Sequence, residues 1–404
     1  MQILYNIFIR VLFFGIWMAQ FFNPKAKKWI LGRKNWKNKL PKIDKTREVT
    51  WFHCASLGEF DQGLPLMNEL KKKNPSIFLL VTFFSPSGYE HFQKRENPVD
   101  FACYLPLDTK KNARILLEYF QVKKLFIVKY EFWCNLIFEA KRKNVKIYSI
   151  CALFRPNQHF FKWYGSFFRK AIHYFDQIFV QNQESVELLH SIAFTKVILV
   201  GDMRFDRVIE NKLHMKEDLI LKQFQGESKI FIIGSSWSID EQFLKKAIEN
   251  YSLKNKVIIA PHDVSERHIQ EIEDLFRHKT IRYTQFNVDF DKQAILILDC
   301  IGKLSNAYFY GDFAYIGGGF TGNLHNILEP AVFGLPIIFG PKHKRFPEAQ
   351  LFINEGIGFS VANEEELEKA ILKIQLEKEN LHLKTAKLIN SNQGVVDKIV
   401  DFVI

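Results

Sequence analysis

The feature that most constrains the fold is a series of short, continuously apolar runs that alternate with longer segments of helical period. Because these runs are apolar on both faces rather than on alternate residues, they are typical of parallel strands covered by helices on both sides. The sequence therefore predicts doubly wound α/β sheets. The predicted strands are residues 49–54, 77–83, 125–130, 145–150, 177–181, 196–201, 229–234, 256–261, 294–298, 313–317 and 335–340.

A charged segment interrupts this series after residue 208, and a second series of strands follows it. With 404 residues, of which 47% are hydrophobic, the chain can form two cores. We expect a membrane-associated segment at 1–35, a first Rossmann-like domain at 36–208 and a second at 209–404. Ligands of such sheets bind at the carboxyl ends of the strands, so a substrate cleft between the domains is expected.

The charge balance points to anionic partners. Lys and Arg number 56 against 44 Asp and Glu, a net charge of +12 that suits nucleic acid, a phospholipid surface or phosphorylated substrates. The five cysteines form no C-x-x-C pair and resemble reduced cytosolic thiols. The sequence contains no convincing metal-binding motif, so metal-independent chemistry is the simpler hypothesis.

The N-terminus is apolar from residue 3 to residue 22, apart from Tyr5, Asn6, Arg10 and Gln20. This predicts a membrane-associated helix that spans a bilayer or lies in its interface, and the basic run after it favours a cytoplasmic location for the chain that follows. A helix packed on the protein's own core is the alternative, and Arg10 argues against a signal peptide. The cations expected on lipid head groups are Lys25, Lys27, Lys28, Arg33, Lys34 and Lys37.

Two carboxylates follow predicted strands of the first domain. Glu59 comes after the first strand, at the start of an amphipathic helix, where it is either a general base or a capping residue. Glu131 follows another strand and stands beside Trp133, either as a second catalytic carboxylate or as the partner of a cation. Polar positions after the predicted strands 49–54 and 77–83 form an acceptor site or ordinary turns: Ser56, Gly58, Ser85, Ser87 and Gly88.

Polar residues also follow the strands of the second domain. Ser235, Ser236 and His262 can bind phosphate or the edges of a base, although a structural loop histidine is the alternative for His262. Three glycines, including Gly318 and Gly319, end a later strand. Asn326 and Glu329 then predict the N-cap and first turn of a helix.

That arrangement predicts a nucleotide phosphate at the helix N-terminus and a ribose on Glu329. The alternative is a tight glycine turn with a capping box.

Together these residues resemble the bacterial Kdo transferases, which move 3-deoxy-D-manno-octulosonic acid (Kdo) from CMP-Kdo to a lipid A precursor. The likeness covers most of the chain, with the motifs in the family's order. They are WFHCASLGEF from residue 51, TFFSPSG from 82, YLPLD from 104, YEFWCN from 130, GDMRFD from 201, GSSW from 234, GKLSNAYFYGDFAYIGGGF from 302, HNILEP from 325 and GP from 340.

The resemblance implies a GT-B fold, with two doubly wound domains facing a cleft, the acceptor in the first, the CMP-sugar in the second, and no metal or cofactor. Glu59 matches the family's general base, and Glu131 matches a second carboxylate. The reaction would invert the configuration of the sugar. Positions that match the nucleotide loop or could assist the donor phosphate are Gly318, Gly319, Asn326, Glu329, Arg204, Ser235, Ser236 and His262.

The expected partners are CMP-Kdo, a lipid A precursor such as lipid IVA and anionic inner-membrane phospholipids, at the cytoplasmic face of a bacterial inner membrane; no nucleic acid is expected. Two alternatives remain open: a GT-B enzyme with a UDP-sugar donor, and a non-catalytic protein that binds anionic lipid.

Overall fold

The structure is a computed structural model that describes residues 1–94, 96–277, 279–286 and 294–404. The chain forms two compact units. The first contains Met1–Arg207 together with Gly394–Ile404, and the second contains Val208–Gln393.

The first unit is built on a seven-stranded parallel sheet with the order β3-β2-β1-β4-β5-β6-β7. Trp51 in β1 pairs with Leu80 of β2 on one side and with Leu125 of β4 on the other. The order therefore reverses beside β1, the place where doubly wound sheets bind ligands. The strands are β1 Val49–Cys54, β2 Phe78–Phe83, β3 Phe101–Tyr104, β4 Lys124–Val128, β5 Lys146–Ala152, β6 Gln177–Val180 and β7 Val197–Leu199.

Helices cover both faces of this sheet, which explains why its inner strands lack a polar face. Neighbouring residues Trp51 and Phe52 are both fully buried, but they belong to different core clusters. The helices of this unit before its boundary are α1 Gln2–Ala19, α2 Pro24–Arg33, α3 Leu57–Lys73, α4 Pro86–Phe92, α5 Lys110–Phe120, α6 Cys134–Arg142, α7 Ser166–Ile172 and α8 Gln183–Ser191.

The second unit has its own seven-stranded parallel sheet, with the order β10-β11-β9-β8-β12-β13-β14. Its order reverses between β8 and β12, where Ile232 pairs with both Ile258 and Ala314. The strands are β8 Ile230–Ser236, β9 Lys256–Pro261, β10 Thr280–Arg282, β11 Ile295–Ile297, β12 Phe313–Ile316, β13 Ile337–Phe339 and β14 Gly358–Ser360.

The helix α9 contains the boundary between the units, and eight further helices follow it in the second unit. These helices are α9 Arg204–Leu213, α10 Leu219–Gln225, α11 Ser238–Tyr251, α12 Glu266–Phe276, α13 Leu304–Ala307, α14 Leu328–Ala331, α15 Pro347–Asn354, α16 Glu364–Leu376 and α17 Lys378–Ser391.

The last helix, α18 (Val395–Val403), corrects the predicted boundary, because it belongs to the first unit and not to a domain at 209–404. Its apolar face is buried in the core cluster that contains Val200 and Met203. The carboxylate of Asp206 accepts hydrogen bonds from the N–H groups of Gly394 and Val396 at 2.6 and 2.8 Å. These backbone contacts and the burial of the apolar face hold the end of the chain on the first unit.

The N-terminal helix α1 also belongs to the first unit. Tyr5 and Ile9 are buried in its core, whereas most large side chains of the other face are exposed. By length and composition alone α1 could cross a membrane, and 11% of its apolar window is buried. The prediction of an apolar N-terminal helix is confirmed. The contacts of Tyr5 and Ile9 also show that one narrow face packs on the protein's own core.

Arg33 corrects one part of the membrane prediction, because its guanidinium is buried and does not reach lipid. It donates hydrogen bonds to the carbonyl oxygens of Leu105 and Phe84, both at 2.8 Å, and lies over the ring of Trp29 at 3.8 Å. Burial lowers the pKa of Arg33 to about 9. The role of Arg33 is therefore to hold the end of α2 against the loop that follows β2.

Candidate active site

Glu59 lies at the carboxyl edge of the first sheet. The chain leaves β1 and enters α3 at once, with Ser56 as the N-cap that accepts a hydrogen bond from the Glu59 N–H. The Glu59 carboxylate turns back and accepts a hydrogen bond from the Ala55 N–H at 2.5 Å. Burial raises the pKa of this carboxyl, and the Ala55 N–H and the charge of Lys129 oppose the increase. The prediction of a carboxylate in the first turn of a helix is confirmed.

Glu131 and Lys129 lie close to Glu59, at the end of the neighbouring strand β4. Burial and the negative charge of Glu59 raise the pKa of Glu131 to about 7, although Lys129 lowers it. Lys129 has a φ of 64°, and its carbonyl oxygen accepts a hydrogen bond from Ser149 at 2.7 Å. The structure thus brings two carboxylates and a cation together beside β1.

A buried hydrogen-bond network joins β1 and β2 to the loop that carries Glu131. Trp133 donates its indole N–H to Nε2 of His53 at 2.9 Å, while Nδ1 of His53 lies 2.9 Å from the hydroxyl of Thr82. Because Nε2 accepts, the proton of the neutral ring is on Nδ1 and points to Thr82. Burial lowers the pKa of His53 to about 3, so the ring stays neutral. His53 therefore positions Trp133 and takes no part as a base.

The predicted acceptor residues lie on α3 and α4, which approach each other closely. A Cβ on Gly88 would lie 2.9 Å from the backbone nitrogen of Leu57, so the glycine allows this contact. The hydroxyls of Ser85 and Ser87 are 2.8 Å apart at the start of α4. Gly58 has open space where a Cβ would stand. These residues form one polar rim, and their contact with an acceptor remains a prediction.

Arg204 lies in the first unit, near this charged group. Its guanidinium binds the carboxylate of Asp202 through contacts of 2.9 and 2.7 Å. Burial raises the pKa of the Cys151 thiol, with further effects from the charges of Asp202, Lys129, Arg204 and Glu59, so these groups surround Cys151. The predicted role of Arg204 at a donor phosphate remains a prediction.

In the second unit, the glycines after β12 serve the packing of the protein's own backbone. A Cβ on Gly319 would lie 2.4 Å from the nitrogen of Gly340, and Gly318 has a φ of +86°. The Gly318 N–H donates to the buried carboxylate of Asp240 at 3.0 Å. Hence this N–H is already bonded within the protein, and the contact of Gly318 and Gly319 with CMP stays a prediction.

The predicted helix after this turn is shorter and begins later than expected. Asn326 does not serve as the N-cap; α14 covers only Leu328–Ala331 and its N-cap is Ile327. The side chain of Asn326 accepts from the Leu328 N–H and donates to Glu329, both at 3.1 Å, and the hydroxyl of Ser305 lies 3.3 Å from the other carboxylate oxygen. A donor phosphate at the start of this short helix stays a prediction.

Ser236 is not available for direct contact with a donor. It is fully buried, and its hydroxyl donates to Glu241 at 2.7 Å. Ser235, which has a φ of 53°, is partly exposed at the end of β8. The donor contact of Ser235 stays a prediction, whereas the buried Ser236 binds Glu241 within the protein.

Three rings stack at the carboxyl edge of the second sheet. Trp237 and His262 lie with their centroids 4.3 Å apart, and His262 is 4.6 Å from His325. Burial and the neighbouring His262 lower the pKa of His325. Sequence reasoning assigned only His262 to this site. Trp237 follows the predicted strand 229–234 by three residues, and His325 follows the glycine turn after the strand 313–317. Those positions were the signal available for them.

The part of the chain that the structure describes contains no cluster of His, Cys, Asp and Glu suited to a metal ion. Metal-independent chemistry stays a prediction.

Comparison with known proteins agrees with this architecture. Residues 34–207 match the family model described as 3-deoxy-D-manno-octulosonic-acid transferase (kdotransferase). A 3-deoxy-D-manno-octulosonic acid transferase of Aquifex aeolicus is 27% identical over 321 residues, 78% of this chain and 83% of that protein. A bifunctional glycosyltransferase/methyltransferase of Fusobacterium nucleatum is 28% identical over 354 residues, which cover 83% of this chain. The match spans 54% of that longer relative.

Among solved structures, UDP-GlcNAc 2-epimerase from Neisseria meningitidis has a TM-score of 0.62 at 15% identity, covering 88% of this chain and 98% of that one. At this identity the likeness shows the fold alone.

The two parallel sheets have the GT-B layout, and the similarity to Kdo transferases identifies a glycosyltransferase. Within that class, residues 34–207 match the Kdo transferase model, and curated Kdo transferases resemble most of the chain, as its motifs predicted.

Proposed function

We propose that this protein transfers Kdo from CMP-Kdo to a sugar hydroxyl of a lipid A precursor, with inversion and without a metal. The observation that carries the proposal is the Glu59, Glu131 and Lys129 group. It stands at the carboxyl edge of a domain matched by the Kdo transferase model at 34–207.

In the proposed reaction, Glu59 removes the proton from the acceptor hydroxyl. The oxygen then forms a bond to the anomeric carbon of Kdo, while the bond from that carbon to the phosphate oxygen breaks and CMP leaves. A base must be ionised, and the charge of Lys129 and the Ala55 N–H both favour the ionised form of Glu59.

The two carboxylates have different roles in this proposal. The pKa of Glu131 is about 7, so near neutral pH a large fraction of it carries a proton. A neutral Glu131 does not repel the charge on Glu59, which helps to keep the base ionised. Protonated Glu131 can also donate a hydrogen bond to an acceptor oxygen.

On the second unit, we propose that the cytosine base lies on the exposed side of Trp237 and that ribose binds Glu329. Each carboxylate oxygen of Glu329 has a single neutral donor, from Asn326 or Ser305, so each can accept another hydrogen bond. His262 and Ser235 lie at neighbouring strand ends, where they could contact the donor phosphate.

The proposed acceptor is a membrane lipid, which agrees with the exposed apolar face of α1. Deleting the N-terminal segment is a poor test of membrane binding, because it would remove the buried contacts of Tyr5 and Arg33. Replacing the exposed Phe8, Phe14 and Phe22 by serine leaves those contacts in place. We expect this variant to stay folded and to bind inner-membrane vesicles more weakly.

The donor distinguishes this proposal from a UDP-sugar enzyme. CMP should raise the melting temperature of the full chain and UDP should not, measured by thermal shift at equal concentrations. Protection by UDP alone would favour the UDP-sugar alternative, and liposome binding without protection by either nucleotide would favour a lipid-binding protein.

A further inference from the structure

A cavity of about 600 Å³ lies beside the start of α1, between α6 and α7. Its apolar lining comes from Phe138 and Phe167, with Tyr174 beside them. The rings are in contact, since Phe138 lies 5.5 Å from Phe167 and 5.3 Å from Tyr174 between centroids. A volume of this size accommodates a small organic molecule.

The polar lining of the cavity is cationic. Lys141, Arg142 and Lys170 line it, and no acidic side chain of the described residues does so. Arg142 binds Glu139 at 2.8 Å, and Lys141 is 3.8 Å from Asp176, so both retain capacity for an anion. Within the described ranges, Lys170 has no acidic partner. A cavity with aromatic walls and three cations suits a phosphate attached to an apolar group.

The cavity also adjoins the apolar exposed face of α1. Gln2 lines the cavity, and the next two residues, Ile3 and Leu4, are exposed by 75% and 61%. On the inner side, Tyr5 contacts Phe167 with a centroid distance of 5.5 Å. An amphipathic surface of this kind lies in the interface of a bilayer, at the depth of lipid phosphates.

The position of the cavity separates it from the proposed acceptor site. The loop with Glu131 leads into the first residue of α6, Cys134, whereas Lys141 and Arg142 end this helix. At 1.5 Å per residue the two ends are about 12 Å apart. A ligand in the cavity is therefore distant from the carboxylates and is not the reacting sugar.

We propose that this cavity binds the phosphate head group of an anionic phospholipid of the bilayer in which α1 lies. The head group contacts Lys141, Arg142 and Lys170, and the start of the acyl chains follows the exposed apolar side chains of α1. The proposal does not depend on the donor, the acceptor or the reaction.

The test uses the full chain and a soluble probe, dihexanoyl phosphatidylglycerol below its micellar concentration, with binding followed by isothermal titration calorimetry. The variant carries Lys141→Gln, Arg142→Gln and Lys170→Gln. Its matched control carries Lys254→Gln, Lys384→Gln and Lys387→Gln, three exposed lysines of the second unit. Circular dichroism and melting temperature establish that both variants are folded.

We expect the cavity variant to bind the probe at least about tenfold more weakly, because each cation near an anionic lipid contributes about fivefold. The control should bind like the parent protein, and dihexanoyl phosphatidylcholine should not compete.

Equal losses in both variants, or no binding to the parent chain, would overturn the proposal. Inorganic phosphate that competes as well as the lipid would show a free-phosphate site instead. Competition by the phosphorylated lipid A precursor, with phosphatidylglycerol unable to displace it, would assign the cavity to the acceptor.

Discussion

Replacing Glu131 by glutamine should stabilise the first unit at alkaline pH and change its stability little at pH 5. The environment raises the pKa of Glu131 from its ordinary value of 4.5 to about 7. Between these two values the folded protein retains a proton that the unfolded chain has lost. The free energy of unfolding therefore falls as pH rises through this range, and above about pH 7 the loss is complete.

The size of the change in unfolding free energy follows from the difference between these two pKa values of Glu131. One pKa unit corresponds to about 1.4 kcal/mol, so the upper limit is about 3.4 kcal/mol. The side chain is partly exposed, and solvent screening lowers the expected effect to about 2 kcal/mol. For a unit of this size, that difference is an increase of about 4–8 °C in melting temperature at pH 8.

The assay is differential scanning calorimetry of the parent protein and Glu131→Gln at pH 5, 6, 7 and 8. Glu187→Gln, at an exposed glutamate of the same unit, controls for the loss of one negative charge. The reasoning about burial would be refuted if Glu131→Gln raised the melting temperature equally at pH 5 and pH 8. It would also be refuted if the variant were less stable than the parent protein at pH 8.

Three further changes test other parts of the structure. Tyr5→Phe removes the hydroxyl that donates to Asp108 at 2.6 Å, so we expect a loss of about 1–3 kcal/mol in unfolding free energy, measured by chemical denaturation. Gly319→Ala places a Cβ against Gly340 and should destabilise the second unit by about 1–3 kcal/mol in the same assay. Trp237→Ala should weaken CMP binding about tenfold or more, measured by titration calorimetry, because a base that stacks on an aromatic ring gains about 1–3 kcal/mol.

Each of these three predictions has a result that would contradict it. Gly58→Ala is the matched control for the glycine change, since its Cβ enters open space and should leave stability unchanged or higher. Equal effects at both glycines would refute the backbone argument. Undiminished stability of Tyr5→Phe would show that its hydroxyl is dispensable, and unchanged CMP affinity of Trp237→Ala would remove the ring from the donor site.

The inner strands could be predicted from sequence, whereas three of the four edge strands could not. The exception is the edge strand β7 (Val197–Leu199), which lies within the predicted run 196–201. All the predicted apolar runs are strands with small shifts at their ends, because inner strands are covered on both faces and have long apolar runs. The strands that were missed, Phe101–Tyr104, Thr280–Arg282 and Gly358–Ser360, lie at the edges of the two sheets. An edge strand has one neighbour and is partly exposed, so its sequence resembles a loop.

The site could be predicted in part for a similar reason. Ser56 and Glu59 follow a local rule, the N-cap and first turn of a helix, and the structure has both. The role of the glycines after β12 depends on Gly340 and Asp240, which are distant in sequence. The elevated pKa of Glu131 likewise requires Glu59 and burial, which no local pattern encodes.

The central claim is tested most directly by mass spectrometry of a tetraacylated lipid A precursor after incubation with the protein and CMP-Kdo generated in place. The proposal predicts that the lipid gains the mass of Kdo with the parent protein and that Glu59→Gln, which stays folded, adds almost none. No added mass from the folded parent protein with intact CMP-Kdo would contradict Kdo transfer. Normal transfer by Glu59→Gln would contradict the assignment of the base.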